Sequence, residues 1–240
     1  MDGAAPLWPA LLLAGGAGLA MPLGALAARL ERIDDPLIAL ELRHGVTAFG
    51  GGALLSAVAL VLVPDGAEAL PGAVAVLCFL AGGLIFFAVD RAVEAQGGAG
   101  AQLMAMLLDY LPEAAALGAL LAVDLGTSIL LAGLIFLQNL PEGYAAFNEI
   151  EETRRQPPHR VVAIFAALAA VGPGAAALGL FVLADWPGVL GAIMLTAAGG
   201  ILYLVFQDIA PQARAPGHWR PPLGAVAGVA LGLGGHLAVA

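Results

Sequence analysis

The chain has 240 residues, of which 61% are hydrophobic and only 11% are charged. Since a soluble domain carries about a quarter charged residues, this composition excludes an ordinary soluble fold and predicts an all-α membrane protein. The net charge of −9 argues against nucleic acid as a partner. The single cysteine, Cys78, implies neither a disulfide nor a thiolate metal site.

Apolar runs recur along the chain, separated by polar residues or by glycine and proline. Since a helix needs about 20 apolar residues to cross a membrane, the runs predict eight transmembrane helices in one domain over residues 1–240. The predicted spans are residues 6–28, 45–63, 72–89, 102–123, 126–147, 161–184, 188–206 and 222–240. The fourth and fifth runs nearly merge, and DLGTS, from Asp124 to Ser128, is predicted to form the turn between them.

The basic residues predict the orientation of these spans. All nine are arginines, and each lies in or beside the first, third, fifth or seventh loop, whereas the other loops contain only acids. Because arginine and lysine mark the cytoplasmic side, this alternation predicts that both termini lie outside the cytoplasm. The last span also carries a ridge of small residues, Gly224, Gly228 and Gly232. This ridge is either a dimer face or a packing face within one chain.

Two short segments inside apolar runs resemble each other: LLDYLPEAAA (Leu107–Ala116) and FLQNLPEGYA (Phe136–Ala145). Each has a polar residue followed four positions later by a glutamate, so the two side chains share one helix face. These pairs are Asp109 with Glu113, and Gln138 with Glu142. A proline, Pro112 or Pro141, precedes each glutamate and is predicted to distort its helix, because proline cannot donate a backbone hydrogen bond. Such a distortion within a membrane is tolerated where it lines a cavity.

The two copies are also predicted to meet at one depth. Spans four and five are joined by a tight turn, and equal rise per residue places Asp109 level with Glu142, and Glu113 level with Gln138. The amide of Asn139 lies beside them. Since each unpaired charge in a membrane costs several kcal/mol, the acids must be protonated or neutralised by a cation. A divalent metal with oxygen ligands would do this; a metal-free proton relay and protonated packing residues are the alternatives.

At these residues the chain resembles the ZIP family of divalent-metal transporters, particularly its GufA-like branch. QNLPEG (Gln138–Gly143) matches the fifth-span motif Gln-Asn-x-Pro-Glu-Gly, and DYLPEA (Asp109–Ala114) keeps the proline and glutamate of the fourth-span motif His-Asn-x-Pro-Glu-Gly. Three further segments are similar to the family's second, third and seventh spans, respectively: FGGGALLSAVALVLVPDGAE (Phe49–Glu68), FLAGGLIFFAVDR (Phe79–Arg91) and GGILYLVFQDIAPQ (Gly199–Gln212).

The resemblance implies a ZIP-like bundle of eight helices that transports divalent cations toward the cytoplasm, with Zn, Mn, Fe, Co or Cd as the substrate. It further implies a homodimer in the lipid bilayer of a bacterial inner (plasma) membrane. The metal ligands implied by the resemblance are Asp109, Glu113, Gln138, Asn139 and Glu142.

Three positions depart from the family pattern. Asp109 stands where the family has histidine, Tyr110 where it has asparagine, and Gly172 where the sixth span has glutamate. The resemblance therefore implies one retained metal position of two. A carboxylate in place of an imidazole predicts a preference for harder ions such as Mn²⁺ over Zn²⁺. The departures also leave open a transport-inactive relative that acts as a metal sensor, partner subunit or scaffold.

Polar residues outside the motifs are weaker candidates for a transport path. Asp65 and Glu68 are interpreted either as acids that gather cations at the outer entrance or as part of a solvated loop. Gln207 and Asp208 are interpreted as an inner exit or as an interfacial cap, and Ser56 as lining the path or as bonded to its own helix.

The sequence predicts that the chain is not an enzyme. Ser56 and Ser128 lack the neighbouring histidine of a serine hydrolase. Since the sequence also contains no Walker-type glycine loop, transport is expected to follow existing gradients.

Overall fold

A computed structural model describes residues 6–94, 100–152 and 157–239. Within these ranges all regular structure is helical, and no strand is present. The described residues form eight successive helical segments: α1 (Leu7–Leu30), α2 (Pro36–Glu68), α3 (Gly72–Glu94), α4 (Gly100–Leu120), α5 (Leu125–Glu152), α6 (Pro158–Leu183), α7 (Pro187–Gln212) and α8 (Leu223–Val239). Each segment overlaps one predicted span.

Six of the described helices are long and apolar enough to cross a membrane: α1, α2, α3, α5, α6 and α7. The chain is therefore an integral membrane protein, as its composition predicts. α8 is apolar but has only 17 residues.

Several helices extend beyond the predicted spans, and an aspartate accounts for the starts of two of them, α2 and α5. α2 begins at Pro36, nine residues before the predicted span, because the Asp35 carboxylate accepts the backbone N–H groups of Leu37 (2.8 Å) and Ile38 (3.4 Å). An aspartate followed by proline is a strong helix start.

The predicted turn between α4 and α5 was placed too late. α4 ends at Leu120, residues 121–124 make the turn, and the LGTS part of DLGTS, from Leu125 to Ser128, forms the first turn of α5. The Asp124 carboxylate caps α5 by accepting the N–H groups of Gly126 (3.1 Å) and Thr127 (2.9 Å) and the hydroxyl of Thr127. Hydrogen bonds, first from the Thr127 side chain and then from these N–H groups, lower the pKa of Asp124 from its ordinary value.

Several helices depart locally from regular α-helical geometry. α2 and α7 contain π-helical turns at Val58–Leu62 and Val205–Ile209. Each turn is followed by a proline, Pro64 or Pro211, which cannot donate to the preceding turn. α6 is interrupted at Ala170, three residues before Pro173. Such irregular turns often accompany functional sites, because they redirect side chains.

The helices pack through glycine contacts that bring backbones together. α1 lies against α5, α2 against α5 and α8, α3 against α7, and α4 against α6. A Cβ atom on Gly24 would lie 2.1 Å from the carbonyl oxygen of Leu140, and one on Gly143 would lie 2.2 Å from that of Met21. α1 therefore touches α5 at the QNLPEG motif itself, which only residues without a side chain permit.

The glycine ridge of α8 packs within the chain. Cβ atoms on Gly224 and Gly228 would lie 2.2 and 2.3 Å from the carbonyl oxygens of Gly45 and Phe49, and one on Gly232 would lie 2.4 Å from the Ser56 side chain. α2 therefore covers the ridge, which is a packing face within one chain and not a dimer face.

Candidate metal centre

α4 and α5 bring the two copies of the motif together in two hydrogen-bonded pairs. Nε2 of Gln138 donates to Oε2 of Glu113 at 2.5 Å. The carboxyl groups of Asp109 and Glu142 are hydrogen-bonded to each other, and such a bond contains one proton. These are the pairs that equal rise along antiparallel helices predicts.

The motif residues lie in the interior of the bundle. Asp109 is 3% exposed, and Glu113, Gln138 and Asn139 are 0% exposed, whereas Glu142 is partly exposed. Within the described residues, no arginine or histidine forms an ion pair with the three acids. Buried charges are normally paired or coordinated, but within the described part of the chain no cationic side chain offsets these acids.

Four buried oxygen atoms at this place have no hydrogen-bond donor. They are Oε1 of Glu113, Oε1 of Gln138, Oδ1 of Asn139 and Oε2 of Glu142. An unsatisfied buried acceptor costs about 1–3 kcal/mol, and a bound cation or hydrogen-bond donor would offset that cost for all four oxygens. All four belong to residues predicted as metal ligands, and all are oxygens, the ligand type that hard cations prefer.

The acids are not gathered into one ligand set in this conformation. Across the described ranges, no three Asp, Glu, His or Cys side chains converge with metal-binding geometry. The carboxyl group of Glu113 is hydrogen-bonded to the amide of Gln138, and that of Asp109 is hydrogen-bonded to the carboxyl group of Glu142. A single site formed from both pairs requires the Asp109–Glu142 hydrogen bond to open.

A small cavity lies beside the Asp109–Glu142 pair. Its volume is about 50 Å³, enough for a cation and about one or two waters, and it is lined by Leu54, Met106, Asp109, Glu142, Ile201, Leu204, Asp208 and Ile209. Asp208 reaches it from the π-helical turn of α7. The structure thus brings one residue of the predicted exit next to the central acids, whereas Gln207 is exposed and does not line this cavity.

The remaining path candidates lie apart from this cavity. Ser56 donates its hydroxyl proton to the carbonyl oxygen of Gly52 (3.0 Å), the arrangement expected of a helix hydroxyl bonded to its own backbone. At the end of α2, Asp65 is half-buried and Glu68 is exposed. Asp65 interacts electrostatically with Glu68, Asp124 and His236, so these polar residues share one end of the bundle.

A second, polar cavity was not predicted from the sequence. It measures about 360 Å³ and is lined by Leu40, Arg43, His44, Thr47, Tyr144, Ala145, Asn148, Glu149 and Gln212. Tyr144 directly follows the QNLPEG motif, and its hydroxyl donates to the Glu31 carboxylate, which also lies 3.7 Å from Nε of Arg43. Nδ1 of His44 contacts the carbonyl oxygen of Gln212. This cavity lies at the part of α2 that carries Arg43 and His44.

The two further departures from the ZIP pattern, Tyr110 and Gly172, fit each other. Tyr110 is 0% exposed, and a Cβ atom on Gly172 would lie 1.7 Å from its hydroxyl oxygen. The missing side chain at residue 172 therefore leaves the space that the phenol occupies. Sequence reasoning missed this contact, because nothing in the spacing of the two residues reveals it.

No protein-family model matches the chain, and no curated protein matches it significantly. The resemblance to the ZIP family therefore rests on the motifs quoted above.

Proposed function

We propose that this membrane protein transports divalent metal cations toward the cytoplasm through a site between α4 and α5. The observation that carries the proposal is the group of four buried oxygens without donors, on Glu113, Gln138, Asn139 and Glu142. Carboxyl and amide oxygens in an apolar interior attract a cation, because ionised acids there are otherwise very costly. The motif likeness to the ZIP family supports the same reading.

In the proposed site the cation is bound by oxygen atoms alone. Glu113 and Glu142 supply negative charge, Asp109 takes the place of the family's imidazole, and Gln138 and Asn139 complete the coordination shell. Pro112 and Pro141 lie inside α4 and α5 beside the ligands, where a proline cannot donate a backbone hydrogen bond to the preceding turn. Since all-oxygen sites suit hard ions, Mn²⁺ is the expected substrate in preference to Zn²⁺; Fe, Co and Cd are the other candidates.

The proposed path runs along the bundle through this site. Asp65 and Glu68 stand at the entrance, and Asp208 lines the cavity next to Asp109 and Glu142. The polar cavity around His44 and Tyr144 forms the cytoplasmic exit. In this proposal all eight helices cross a bacterial inner membrane, both termini lie outside, and the functional unit is a homodimer.

Metal flux into proteoliposomes tests the proposal. Purified protein is reconstituted with a metal-sensitive dye inside the vesicles, and Mn, Zn, Fe, Co and Cd are added outside in turn. Glu113→Gln removes one buried carboxyl without changing its size, and we expect it to reduce flux at least about tenfold. Glu151→Gln is the matched control, since Glu151 is exposed on the same helix as Glu142 and should retain full flux. Equal flux in wild type, Glu113→Gln and empty vesicles would contradict transport through this site.

A transport-inactive metal sensor, partner subunit or scaffold is the second candidate. It is favoured by the paired arrangement of the acids and by the small volume beside them, about 50 Å³. Such a protein would bind Mn²⁺ at equilibrium in detergent but give no flux in the vesicles. The two measurements on one preparation therefore separate the candidates.

A further inference from the structure

α1 contributes no candidate ligand, yet it accepts hydrogen bonds from both copies of the motif. The hydroxyl of Tyr110 donates to the carbonyl oxygen of Ala14 at 2.9 Å, and Nδ2 of Asn139 donates to that of Ala17 at 3.1 Å. Tyr110 directly follows Asp109, and Asn139 directly follows Gln138. The same position in each copy therefore joins a ligand-bearing helix to α1.

Tyr110 is also joined to the carboxyl group of its neighbour. Its backbone N–H donates to Oδ1 of Asp109 at 2.8 Å, and the Asp109 carboxyl is in turn hydrogen-bonded to Glu142. A continuous series of contacts thus runs from α1 through Tyr110 to the acids of α4 and α5. A shift of the phenol would move the backbone that holds Asp109.

The space that holds Tyr110 is built by glycines on two other helices. A Cβ atom on Gly172 would lie 1.7 Å from the hydroxyl oxygen, and one on Gly18 would lie 2.3 Å from it. The hydroxyl also lies 3.4 Å from the carbonyl oxygen of Ala169, whose usual helical donor would be residue 173, a proline. Three helices, α1, α4 and α6, therefore meet at this one hydroxyl group.

We propose that Tyr110 is a positioning residue for the cation site. Through its bond to Ala14 it fixes the Asp109 carboxyl relative to α5, and so sets the affinity and selectivity of a site whose cation it does not touch. The inference rests on the proposed function, because the position of Asp109 matters in this way only if a cation binds there. Asn139 makes the equivalent contact but is itself a candidate ligand, so Tyr110 gives the cleaner test.

The test measures Mn²⁺ and Zn²⁺ binding to the purified full chain in lipid nanodiscs by titration calorimetry, with thermal stability recorded for each variant. Tyr110→Phe removes the donor and keeps the ring. Loss of one buried hydrogen bond should weaken Mn²⁺ binding about five- to tenfold, and the Mn²⁺-to-Zn²⁺ affinity ratio should change. Gly172→Ala, which drives the phenol out of its space, should weaken binding at least as much. Gly174→Ala is the matched control, since a Cβ atom there meets nothing within 4 Å.

The outcomes separate a positioning role from a purely structural one. Weaker binding and an altered ion ratio in Tyr110→Phe, at a temperature where the variant is folded, support the inference. Tyr110→Phe that binds both ions as the wild type does overturns it, even if the variant is less stable. If Gly172→Ala does not fold, Tyr110→Phe alone decides. If the wild-type protein binds neither ion, both the proposed function and this inference are contradicted. Failure of the proposed function is therefore seen in the wild type, whereas failure of the inference alone is seen only in Tyr110→Phe.

Discussion

Replacing Gly143 by alanine tests whether close contact between α1 and α5 holds the site together. The new Cβ atom would lie 2.2 Å from the carbonyl oxygen of Met21, where ordinary van der Waals contact needs about 3.4 Å, so the helices must separate by about 1 Å. Overpacking of this kind costs about 1–3 kcal/mol, whereas glycine to alanine in an open helix position stabilises by up to about 1 kcal/mol. We expect a net loss of about 1–2 kcal/mol in the free energy of unfolding.

Gly133→Ala is the control on the same helix, because a Cβ atom at Gly133 meets nothing within 4 Å. Reversible unfolding in mixed micelles should show this variant to be as stable as the wild type or slightly more stable. Since residue 143 adjoins Glu142, metal flux in Gly143→Ala should also fall, as separation of the helices moves Glu142 from Asp109. Equal stability of the two variants would refute the packing argument.

The remaining predictions concern the ligand set and a helix cap. Asp109→His introduces an imidazole, so the ratio of Zn²⁺ to Mn²⁺ uptake should rise by roughly tenfold; an unchanged ratio would mean that residue 109 is not a ligand. Asp124→Asn should make the free energy of unfolding depend less on pH in the acidic range. Because the folded pKa of Asp124 is lowered, its carboxylate stabilises the protein above its unfolded pKa, about 4, and this stabilisation is lost as pH falls through the folded value. Chemical unfolding at pH 5 and pH 3 measures the difference, and identical profiles for variant and wild type would contradict the capping role.

Short-range physics explains what the sequence could predict. Apolar runs mark each of the eight helical segments, because a buried or lipid-facing helix needs continuous apolar surface. A constant rise per residue on antiparallel helices predicts the two motif pairs. The Glu113–Gln138 and Asp109–Glu142 pairs form although the turn lies earlier in the chain than predicted, so the position of the turn does not by itself set the register of α4 against α5.

Features that depend on contacts between distant segments could not be predicted. The space for Tyr110 arises from Gly18 and Gly172, which lie on helices far apart in the chain. Likewise, the orientation of the Asn139 amide toward Ala17 depends on where α1 crosses α5. Asp208 reaches the central cavity from a π-helical turn, and hydrophobic spacing does not locate such turns.

The starts of α2 and α5 were predictable in principle. Asp35 before Pro36, and Asp124 before a glycine and a threonine, are ordinary capping signals. Hydropathy does not locate the start of α2, because Glu41, Arg43 and His44 interrupt its apolar pattern before residue 45.

Anomalous scattering from crystals soaked in Mn²⁺ or Cd²⁺ tests the central claim most directly. We expect one strong peak inside the bundle between α4 and α5, within coordination distance of Glu113 and Glu142. Peaks confined to the acids at the ends of the helices, with none between these two glutamates, would contradict it.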